Sequence, residues 1–502
     1  MFILAVFVSL VSCSVPHEPT LAITHATVID MAGATPLADQ TLIIQNDRIT
    51  DIGASNTVAI PRGAQILDAP GKFLIPGLVE THIHLTAAGE PDGSRKFMLP
   101  LLLANGITSV RDMGGYLESL NPLRKEIAEG KRLGPRIVTP GPYLDGSPPS
   151  FEPSLVVTNA VEASEDVHQL VALGVDFIKV QSILSREAYF AIAQAAQREH
   201  ITFVGHVPDR VTAAEAADAG QHSIEHLTNV LRGCSRDEPK LMREQLYIPV
   251  KKETPEQSHT RIGQWQRELL DSYSPEKAAA LIAKFKEKDV WQTPTLVLLE
   301  NDAFPTTGNS AGRVSGFKGL SYKLLDKQVA LANPELKTDD REKYIPPRTL
   351  AIWKKARTEQ MRALSPQDSE LHAQLLRKSM DVVAQMQKAG VKILAGTDAP
   401  APYVFPGSSL HDELQLLVQS GLTPFEALQS ATKSPAEFLH TAKDSGTVEK
   451  GKLADLILLD ANPLAAIGNT RKIHAVILRG KLLDRAALEQ LLAEVQQFAG
   501  DH

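Results

Sequence analysis

The stretch Pro76-Gly-Leu-Val-Glu-Thr-His-Ile-His84 decides how the rest of this 502-residue chain is interpreted. The apolar run that opens it, Phe73-Leu74-Ile75, and the alternation that follows predict a buried β-strand. Side chains on a strand repeat every two residues, so His82 and His84 are expected on the same face. Two imidazoles on one face at a strand end can bind one metal ion. Two solvent-facing histidines on an edge strand would show the same pattern.

Four other polar residues follow apolar runs at the ends of predicted strands: Lys179, His206, His226 and Asp398. Strand and helix patterns alternate along the middle of the chain, which is typical of parallel β-α units. At this length they favour an α/β fold with a TIM-like (β/α)8 barrel. Active sites of such barrels are built at the C-terminal ends of the strands. The sequence therefore predicts one site where all six residues meet.

β-rich segments lie at both ends of the chain, for example Leu21–Asp30 and Ala454–Leu459. They predict a small β-sandwich domain built from residues 19–75 together with residues 441–490. The barrel, residues 76–440, would then be inserted into this composite domain.

The stretch between His226 and Asp398 is longer than two β-α units need. Trp291–Leu298 can supply one strand within it, which leaves insertions at about 227–285 and 302–375. Long insertions after barrel strands tend to cover the active-site mouth, so these are candidate lid and specificity elements. Peripheral helices or an oligomer contact would fit equally well.

The composition is that of an ordinary globular protein, with 43% hydrophobic and 22% charged residues. The net charge is −7 and no dense Lys/Arg stripe occurs, which argues against nucleic acid as a partner.

The first residues form a short apolar segment that ends in small residues, and residues 1–18 are predicted as a signal or lipoprotein segment. Leu10-Val11-Ser12-Cys13 resembles a bacterial lipobox, although no Lys or Arg precedes it. We therefore expect export to the periplasm or the outer membrane of a bacterium, with lipidation at Cys13 as the membrane contact. A stray apolar strand is the alternative. Cys234 is then left as an unpaired, inert thiol.

Taken in order, the motifs resemble those of the amidohydrolase superfamily, and most of all its branch of imidazolonepropionase-like and Xaa-Pro or Xaa-Arg dipeptidase-type enzymes. The resemblance covers roughly residues 20–490. It rests on Pro76–His84, Gly106–Gly115, Lys179, Gly205-His206, Glu225-His226, Gly396–Pro400, Leu422–Leu428 and Gly451–Leu456.

The resemblance implies a ligand set for two divalent metal ions. His82, His84 and Asp398 match the ligands of the more buried ion, and a second set, His206 and His226, matches those of the other. Lys179 matches a lysine that reacts with CO2 to give N6-carboxylysine, which bridges both ions. Glu80 departs from the pattern, because an aspartate is usual there, but this position is not a ligand.

Physical chemistry agrees with this ligand set. Imidazole and carboxylate suit zinc best here, although manganese and iron would also fit. An unmodified lysine would face two cations, whereas its carboxylated form is an anionic bridge. The metals would lower the pKa of a shared water. Asp398 would take its proton during attack on a carbonyl and pass it to the leaving amine.

The expected function is a metal-dependent hydrolase that uses a metal-bridging hydroxide to cleave an amide bond. The expected substrate is a small molecule or short peptide, namely a dipeptide or an N-acyl amino acid, and the enzyme is expected to be a homo-oligomer. A cyclic amide, lactone or phosphoester substrate remains open. So does a non-catalytic binding or assembly protein on the same scaffold.

Two roles are open for several other polar residues. Arg111 and Tyr143 lie at early strand ends and could bind a substrate carboxylate or serve the structure. Lys179 could also be a barrel lysine paired with a carboxylate. Histidines without strand-end context are expected to be structural: His168, His200, His411 and His440. His222, four residues before His226, is expected to be helical or a surface neighbour.

Overall fold

The computed structural model describes residues 20–86, 93–245, 254–303, 339–363 and 365–501. The predicted signal segment, with Cys13, lies outside the described residues, as do residues 304–338 of the second predicted insertion.

The secondary structure elements are numbered in chain order. The strands are β1 (Thr20–Val28), β2 (Leu37–Gln45), β3 (Arg48–Ala54), β4 (Gln65–Asp68), β5 (Phe73–Pro76), β6 (Leu78–Ile83), β7 (Ile107–Asp112), β8 (Arg136–Val138), β9 (Tyr143–Asp145), β10 (Ser154–Val156), β11 (Ile178–Val180), β12 (Phe203–Gly205), β13 (Ser223–Glu225), β14 (Trp291–Thr293), β15 (Leu456–Leu459), β16 (Ile473–Leu478) and β17 (Lys481–Leu483).

The helices are α1 (Leu99–Ala104), α2 (Leu117–Ala128), α3 (Ala160–Ala172), α4 (Arg186–Arg198), α5 (Ala213–Asp218), α6 (Val230–Gly233), α7 (Glu238–Gln245), α8 (Pro255–Asp271), α9 (Pro275–Glu287), α10 (Leu296–Ala303), α11 (Pro347–Ala363), α12 (Pro366–Ala389), α13 (Ser408–Gln419), α14 (Pro424–Ser430), α15 (Lys433–Phe438) and α16 (Arg485–Gly500). Within the described ranges, no helix combines the length and the apolar run needed to cross a bilayer.

Strands from the two ends of the chain form one mixed sheet, in the order β17-β16-β15-β5-β1-β2-β3, with β4 added beside β1. The two ends meet where β5 pairs antiparallel with β15, with Pro76 opposite Leu456. Apolar residues from both ends, including Ile23, Ile44 and Leu458, share one buried cluster. The region predicted as a β-sandwich is therefore hydrogen-bonded into one continuous sheet. Strand β1 pairs with β2 on one side and with β4 and β5 on the other.

Seven parallel strands and one irregular segment close the barrel: β6, β7, β8, β11, β12, β13, β14 and residues 391–398. The eighth segment joins β14 through the Leu394 N–H, which donates to the Gln292 carbonyl, and joins β6 through the Asp398 N–H, which donates to the His82 carbonyl. The Asp176 N–H donates to the Thr139 carbonyl and links β8 to β11. The predicted (β/α)8 fold class is confirmed.

An excursion between β8 and α3 was not predicted from the sequence. Strand β9 pairs in parallel with β11, and β10 adds outside β9. Both strands have only three residues, too few for a periodic pattern to identify them. The excursion brings Tyr143, the first residue of β9, to the site described below.

Part of the second insertion lies over the C-terminal side of the barrel. Trp353 of α11 packs against Tyr403 and Phe405, with ring centroids 5.7 and 5.3 Å away. Both aromatic residues belong to the loop that follows Asp398. Helix α11 therefore sits where a lid or specificity element was predicted, and its role as one remains a prediction.

Glu413→Gln is expected to reduce the pH dependence of protein stability. The Glu413 side chain is fully buried, accepts a hydrogen bond from the Val297 N–H at 2.8 Å, and has a pKa that burial raises from 4.5 to about 8. Ionisation therefore favours the unfolded state as the pH rises through this window. The free energy of unfolding should fall by up to about 1.4 kcal/mol per pH unit from this residue alone.

Unfolding of both proteins measured near pH 5 and near pH 8 checks this prediction. The glutamine variant should lose less stability between the two conditions than the wild type. Equal losses would contradict it.

Candidate metal centre

The C-terminal ends of five barrel segments bring the six predicted ligands to one place. His82 and His84 come from the end of β6, Lys179 lies in β11, and the next three follow later strands: His206, His226 and Asp398. The ring centroids of His82 and His84 are 5.4 Å apart, those of His82 and His226 4.4 Å, and those of His206 and His226 5.0 Å.

His82, His84 and Asp398 form the tightest part of this group. One ligand atom from each lies within 4.8 Å of the others, so all three could coordinate one metal ion. Asp398 Oδ1 lies 3.0 Å from His84 Nε2 and 3.3 Å from His82 Nε2. The two histidines face the same way because they are two residues apart at the end of one strand.

Each of the four histidines has its Nδ1 atom next to an oxygen, which leaves Nε2 for a ligand. The Nδ1 partners are Glu225 Oε2 for His82 (2.8 Å), Tyr143 Oη for His84 (3.0 Å), Ser182 Oγ for His206 (2.8 Å) and Thr295 Oγ1 for His226 (2.8 Å). Metal-binding histidines are held in this way, because the second nitrogen fixes the orientation of the ring.

Burial keeps two of these imidazoles neutral. It lowers the pKa of His226 to about 3 and takes that of His206 well below its usual value, helped in both cases by neighbouring positive charge. A neutral imidazole is the form that binds a metal ion. For His84, burial also lowers the pKa, but its contact with Asp398 outweighs this and raises it.

Lys179 is a buried amine without a partner. Its side chain is 1% exposed, and its Nζ atom makes no hydrogen bond or ion pair with any described residue. The open alternative of a lysine paired with a carboxylate is therefore not what the structure contains. Burial lowers the pKa of the ammonium to about 8, although the charges of Glu225 and Asp398 oppose this. Part of the amine is thus neutral near neutral pH.

Asp398 and His226 adopt strained backbone conformations. Their φ angles are 68° and 58°, in the left-handed region that residues other than glycine rarely adopt. Such conformations cost on the order of 1–3 kcal/mol each and concentrate at functional sites. The turn at His226 also breaks the strand alternation. As a result, neighbouring Glu225 and His226 both contribute to this region.

The Asp398 carboxylate remains ionised. Burial would raise its pKa, but the electrostatic influence of the neighbouring imidazoles of His226, His82 and His84 outweighs burial and holds the pKa well below its usual value. An ionised carboxylate can serve as a metal ligand or accept a proton.

Arg111 occupies a different place from the predicted one. Its guanidinium has no exposed surface and lies inside the barrel, where Nη2 donates to both Glu225 oxygens at 3.0 and 2.9 Å. The other two nitrogens are engaged by barrel residues as well, with Nε donating to the Thr81 carbonyl and Nη1 to Ser223 Oγ, and Nη2 also contacts Thr293 Oγ1. These donors are unavailable to a substrate carboxylate, and the structure makes Arg111 a partner of Glu225.

Tyr143 lies at the site, and its hydroxyl contacts His84 Nδ1. Its ring packs over Gly114, where a Cβ atom would lie 2.1 Å from the ring, so this glycine makes room for it. The first role that the structure supports for Tyr143 is to orient His84. Its predicted contact with a substrate carboxylate remains a prediction.

Glu80 ties the first barrel strand to the last. Its Oε1 atom accepts from the His82 and Thr397 backbone N–H groups at 3.0 Å each, and its Oε2 accepts from Thr397 Oγ1 at 2.9 Å. Burial raises its pKa to about 8.

Several other histidines have structural partners. His222 stacks on Phe438 at 4.8 Å, His168 pairs with Glu199, and buried His411 contacts Thr470 and the Asn105 carbonyl. Cys234 is buried and forms no disulfide with a described residue, and burial raises the pKa of its thiol to about 12, which makes it unreactive.

Sequence reasoning missed Glu225, Ser182 and Thr295 as partners of the histidines. Glu225 had a signal, because it precedes His226 at the end of a strand. The two hydroxyl residues had none, since serine and threonine occur throughout the chain and their contacts depend on loop geometry.

Gly396→Ala is expected to destabilise the protein by about 1–3 kcal/mol and to weaken metal binding. A Cβ atom there would lie 2.7 Å from His82 Cβ and 2.8 Å from Thr293 Cγ2, so it would push a candidate ligand out of place. Thermal unfolding and metal titration measure both effects. Gly468→Ala is the matched control, because nothing lies within 4 Å of a Cβ atom there. Similar behaviour of the two variants would contradict the prediction.

The chain belongs to the amidohydrolase family. The sequence model of this family, described as "Amidohydrolase family", matches residues 73–483. This range includes all six predicted ligands and the strands that carry them. The resemblance proposed from the motifs and the predicted enzyme class, a hydrolase of C–N bonds, are thereby confirmed.

Individual relatives differ in how much of the chain they match. Imidazolonepropionase of Vibrio cholerae is 36% identical over 90 residues, which is 18% of this chain and 21% of that protein. The alignment thus spans about a fifth of this relative's length.

Two solved structures resemble nearly the whole chain. One is a Xaa-Pro dipeptidase with bound methionine in the active site (TM-score 0.61, 19% identity, 93% of this chain and 100% of that one). The other is bottromycin amidohydrolase (TM-score 0.69, 21% identity, 97% of this chain and 92% of that one). At these identities the likeness shows the shared fold.

Proposed function

We propose that this amidohydrolase is a metal-dependent enzyme that cleaves an amide bond in a dipeptide or an N-acyl amino acid. One observation carries the proposal. Four histidines whose Nδ1 atoms contact oxygens, an aspartate, and a buried lysine amine with no hydrogen-bond partner in the described part of the chain converge at the C-terminal end of one barrel. Nitrogen and oxygen donors of this kind suit zinc.

Each residue has a place in a site for two metals. His82, His84 and Asp398 would hold one ion, and His206 and His226 would hold the other, with Lys179 between them. The residues fit such ions, since the buried Nε2 atom of His82 and the Nζ atom of Lys179 have no hydrogen-bond partner among the described residues. When bound, the metals would supply a water molecule whose pKa is lowered towards neutrality.

Lys179 would act in its carboxylated form. The neutral amine adds through Nζ to the carbon of CO2, a new N–C bond forms, and one proton leaves to solvent. The product carries one negative charge in place of the lysine's positive charge. This reverses the sign of the Lys179 charge and removes its repulsion of bound cations.

Asp398 would move the proton during the reaction. Its carboxylate, held ionised, accepts a proton from the attacking water and delivers it to the nitrogen of the leaving amine. The contacts of Oδ1 with two imidazoles fix the side chain, so the proton acceptor is already oriented when substrate binds.

The substrate class is proposed from the relatives. A Xaa-Pro dipeptidase and bottromycin amidohydrolase share the fold, and the first holds an amino acid in its active site. A dipeptide or N-acyl amino acid combines an amide bond with one free carboxylate. The partial match to imidazolonepropionase favours a cyclic amide as the second candidate. Lactones and phosphoesters remain possible substrates of the same site.

Metal analysis tests the proposal most directly. Protein purified without chelator should contain about two equivalents of a zinc-like metal per chain. A panel of dipeptides, N-acyl amino acids, cyclic amides and lactones should then identify the preferred bond. Absence of metal, with no activity after zinc and bicarbonate are added, would leave the non-catalytic binding or assembly protein as the better explanation.

We also propose export and self-association. The apolar start of the sequence and its lipobox-like segment support a lipid anchor at Cys13 in a bacterial periplasm or outer membrane. Labelled palmitate should enter the wild type but not Cys13→Ser, and equal labelling would contradict this. Light scattering of the protein without residues 1–18 should give the mass of a homo-oligomer, and a monomer mass would rule it out.

A further inference from the structure

A buried ion pair lies directly behind His82. Arg111 and Glu225 are both fully buried, and Arg111 Nη2 donates to both oxygens of Glu225. Glu225 Oε2 also lies 2.8 Å from His82 Nδ1. The three side chains therefore form a chain from the guanidinium through the carboxylate to the imidazole.

We propose that Arg111 and Glu225 are positioning residues that hold His82 in the tautomer with a proton on Nδ1, so that its Nε2 atom is free for the metal. This inference rests on the proposed function, because it concerns how one ligand of that site is prepared. Arg111 would then support the metal site and would not bind the substrate.

The carboxylate of Glu225 determines which nitrogen of His82 carries the proton. An ionised carboxylate can only accept hydrogen bonds, so the facing Nδ1 atom must donate. The lone pair then resides on Nε2, the atom on the Asp398 side of the ring. A glutamine could instead turn its NH2 group towards Nδ1, which would favour the opposite tautomer with a proton on Nε2.

Arg111 fixes the carboxylate in turn. The guanidinium is bound to three strands: Nε donates to the Thr81 carbonyl (2.6 Å), Nη1 to Ser223 Oγ (3.1 Å), and Nη2 also to Thr293 Oγ1 (3.1 Å). The Phe438 ring lies 4.9 Å and the Phe177 ring 5.9 Å from its central carbon. A planar guanidinium held on all sides presents its Nη2 donor to both oxygens of Glu225 in a fixed position, which a flexible lysine cannot reproduce.

His82 differs in this respect from the histidines of the second ligand pair. His206 and His226 face hydroxyls, those of Ser182 and Thr295, which can both donate and accept. These contacts orient the rings without dictating the tautomer. The Arg111–Glu225 pair should therefore matter for one metal position far more than for the other.

The test compares Glu225→Gln with Glu413→Gln. Both residues are glutamates with no exposed surface, but Glu413 accepts from the Val297 N–H and belongs to no part of the metal site. Cobalt(II) is titrated into each metal-free protein in competition with a chelator, while the visible spectrum is recorded, and thermal unfolding of the metal-free form is measured in parallel.

Glu225→Gln should weaken binding of one of two cobalt ions by about 10–100-fold, with a changed spectrum, while the other ion binds as in the wild type. Glu413→Gln should bind both ions normally. Arg111→Lys, which retains the charge, should weaken the same ion and should serve if Glu225→Gln does not fold.

The outcomes separate the two proposals. Two-ion binding by the wild type together with unchanged binding by Glu225→Gln, or by Arg111→Lys where that variant stands in, would overturn the positioning role alone. Equal weakening of both ions would also overturn it, because a general loss of structure predicts that result. Failure of the wild type to bind cobalt would overturn both this inference and the proposed function.

Discussion

Lys179→Ala is expected to reduce metal content from about two ions per chain to one or fewer and to lower kcat/KM by at least about 1,000-fold, on the order of 4 kcal/mol. The Lys179 amine is buried and has no hydrogen-bond partner among the described residues. In the proposed two-metal site, loss of the carboxylated lysine would remove the anion that offsets the repulsion between the ions. Metal analysis and steady-state kinetics measure both losses.

Lys392→Ala is the control for this variant. Lys392 is half-exposed, pairs with Asp289 at 3.1 Å, and lies 4.5 Å from the Trp291 ring, so its loss should change neither metal content nor rate. Acetate or propionate added to Lys179→Ala should restore part of the activity, since a small carboxylate can occupy the vacated space. Retention of two metals by Lys179→Ala would reject the bridging role.

Asp398→Asn is expected to lower kcat by about 100- to 10,000-fold, the range that loss of a general base produces. The amide occupies the same volume but cannot accept the proton from the attacking water. KM should change much less than kcat, because the proposed substrate contacts do not depend on this proton. Metal content should fall as well, since Asp398 Oδ1 lies beside both His82 and His84.

Asp412→Asn separates a catalytic effect from a loss of stability. Asp412 is also buried and pairs with Arg341 at 2.9 Å and with Arg471 at 2.6 Å, away from the candidate metal centre. This variant should have a lower melting temperature but retain kcat within about threefold once folded. If Asp398→Asn behaves like Asp412→Asn, Asp398 is not the proton acceptor.

The sequence predicted the barrel and the ligand group because both follow from regular spacing. Strand-end positions such as His206 and Asp398 are recognised by the apolar runs before them, and parallel strands bring their C-terminal ends together. The eighth segment was identified by the same rule, although its backbone pairs only irregularly.

Other features could not be predicted because they depend on direction rather than spacing. Arg111 ends a strand, as a substrate-binding residue would, but its side chain points into the barrel, where Glu225 compensates its charge. Glu225 lies inside the barrel on the same face as Ser223, two residues earlier, and the left-handed conformation of His226 is what allows the next residue to reach the same region. A single sequence does not determine the direction of either side chain.

The closure of the barrel has a consequence for how the protein is made. Glu80 on the first strand and Thr397 on the last are 317 positions apart in sequence, yet they are hydrogen-bonded beside His82 and Asp398. A ribosome therefore releases His82 and His84 long before Asp398 exists. A nascent or truncated chain that stops short of residue 398 lacks both the final strand and the carboxylate. The proposed metal site can therefore be complete only after residue 398 has been synthesised.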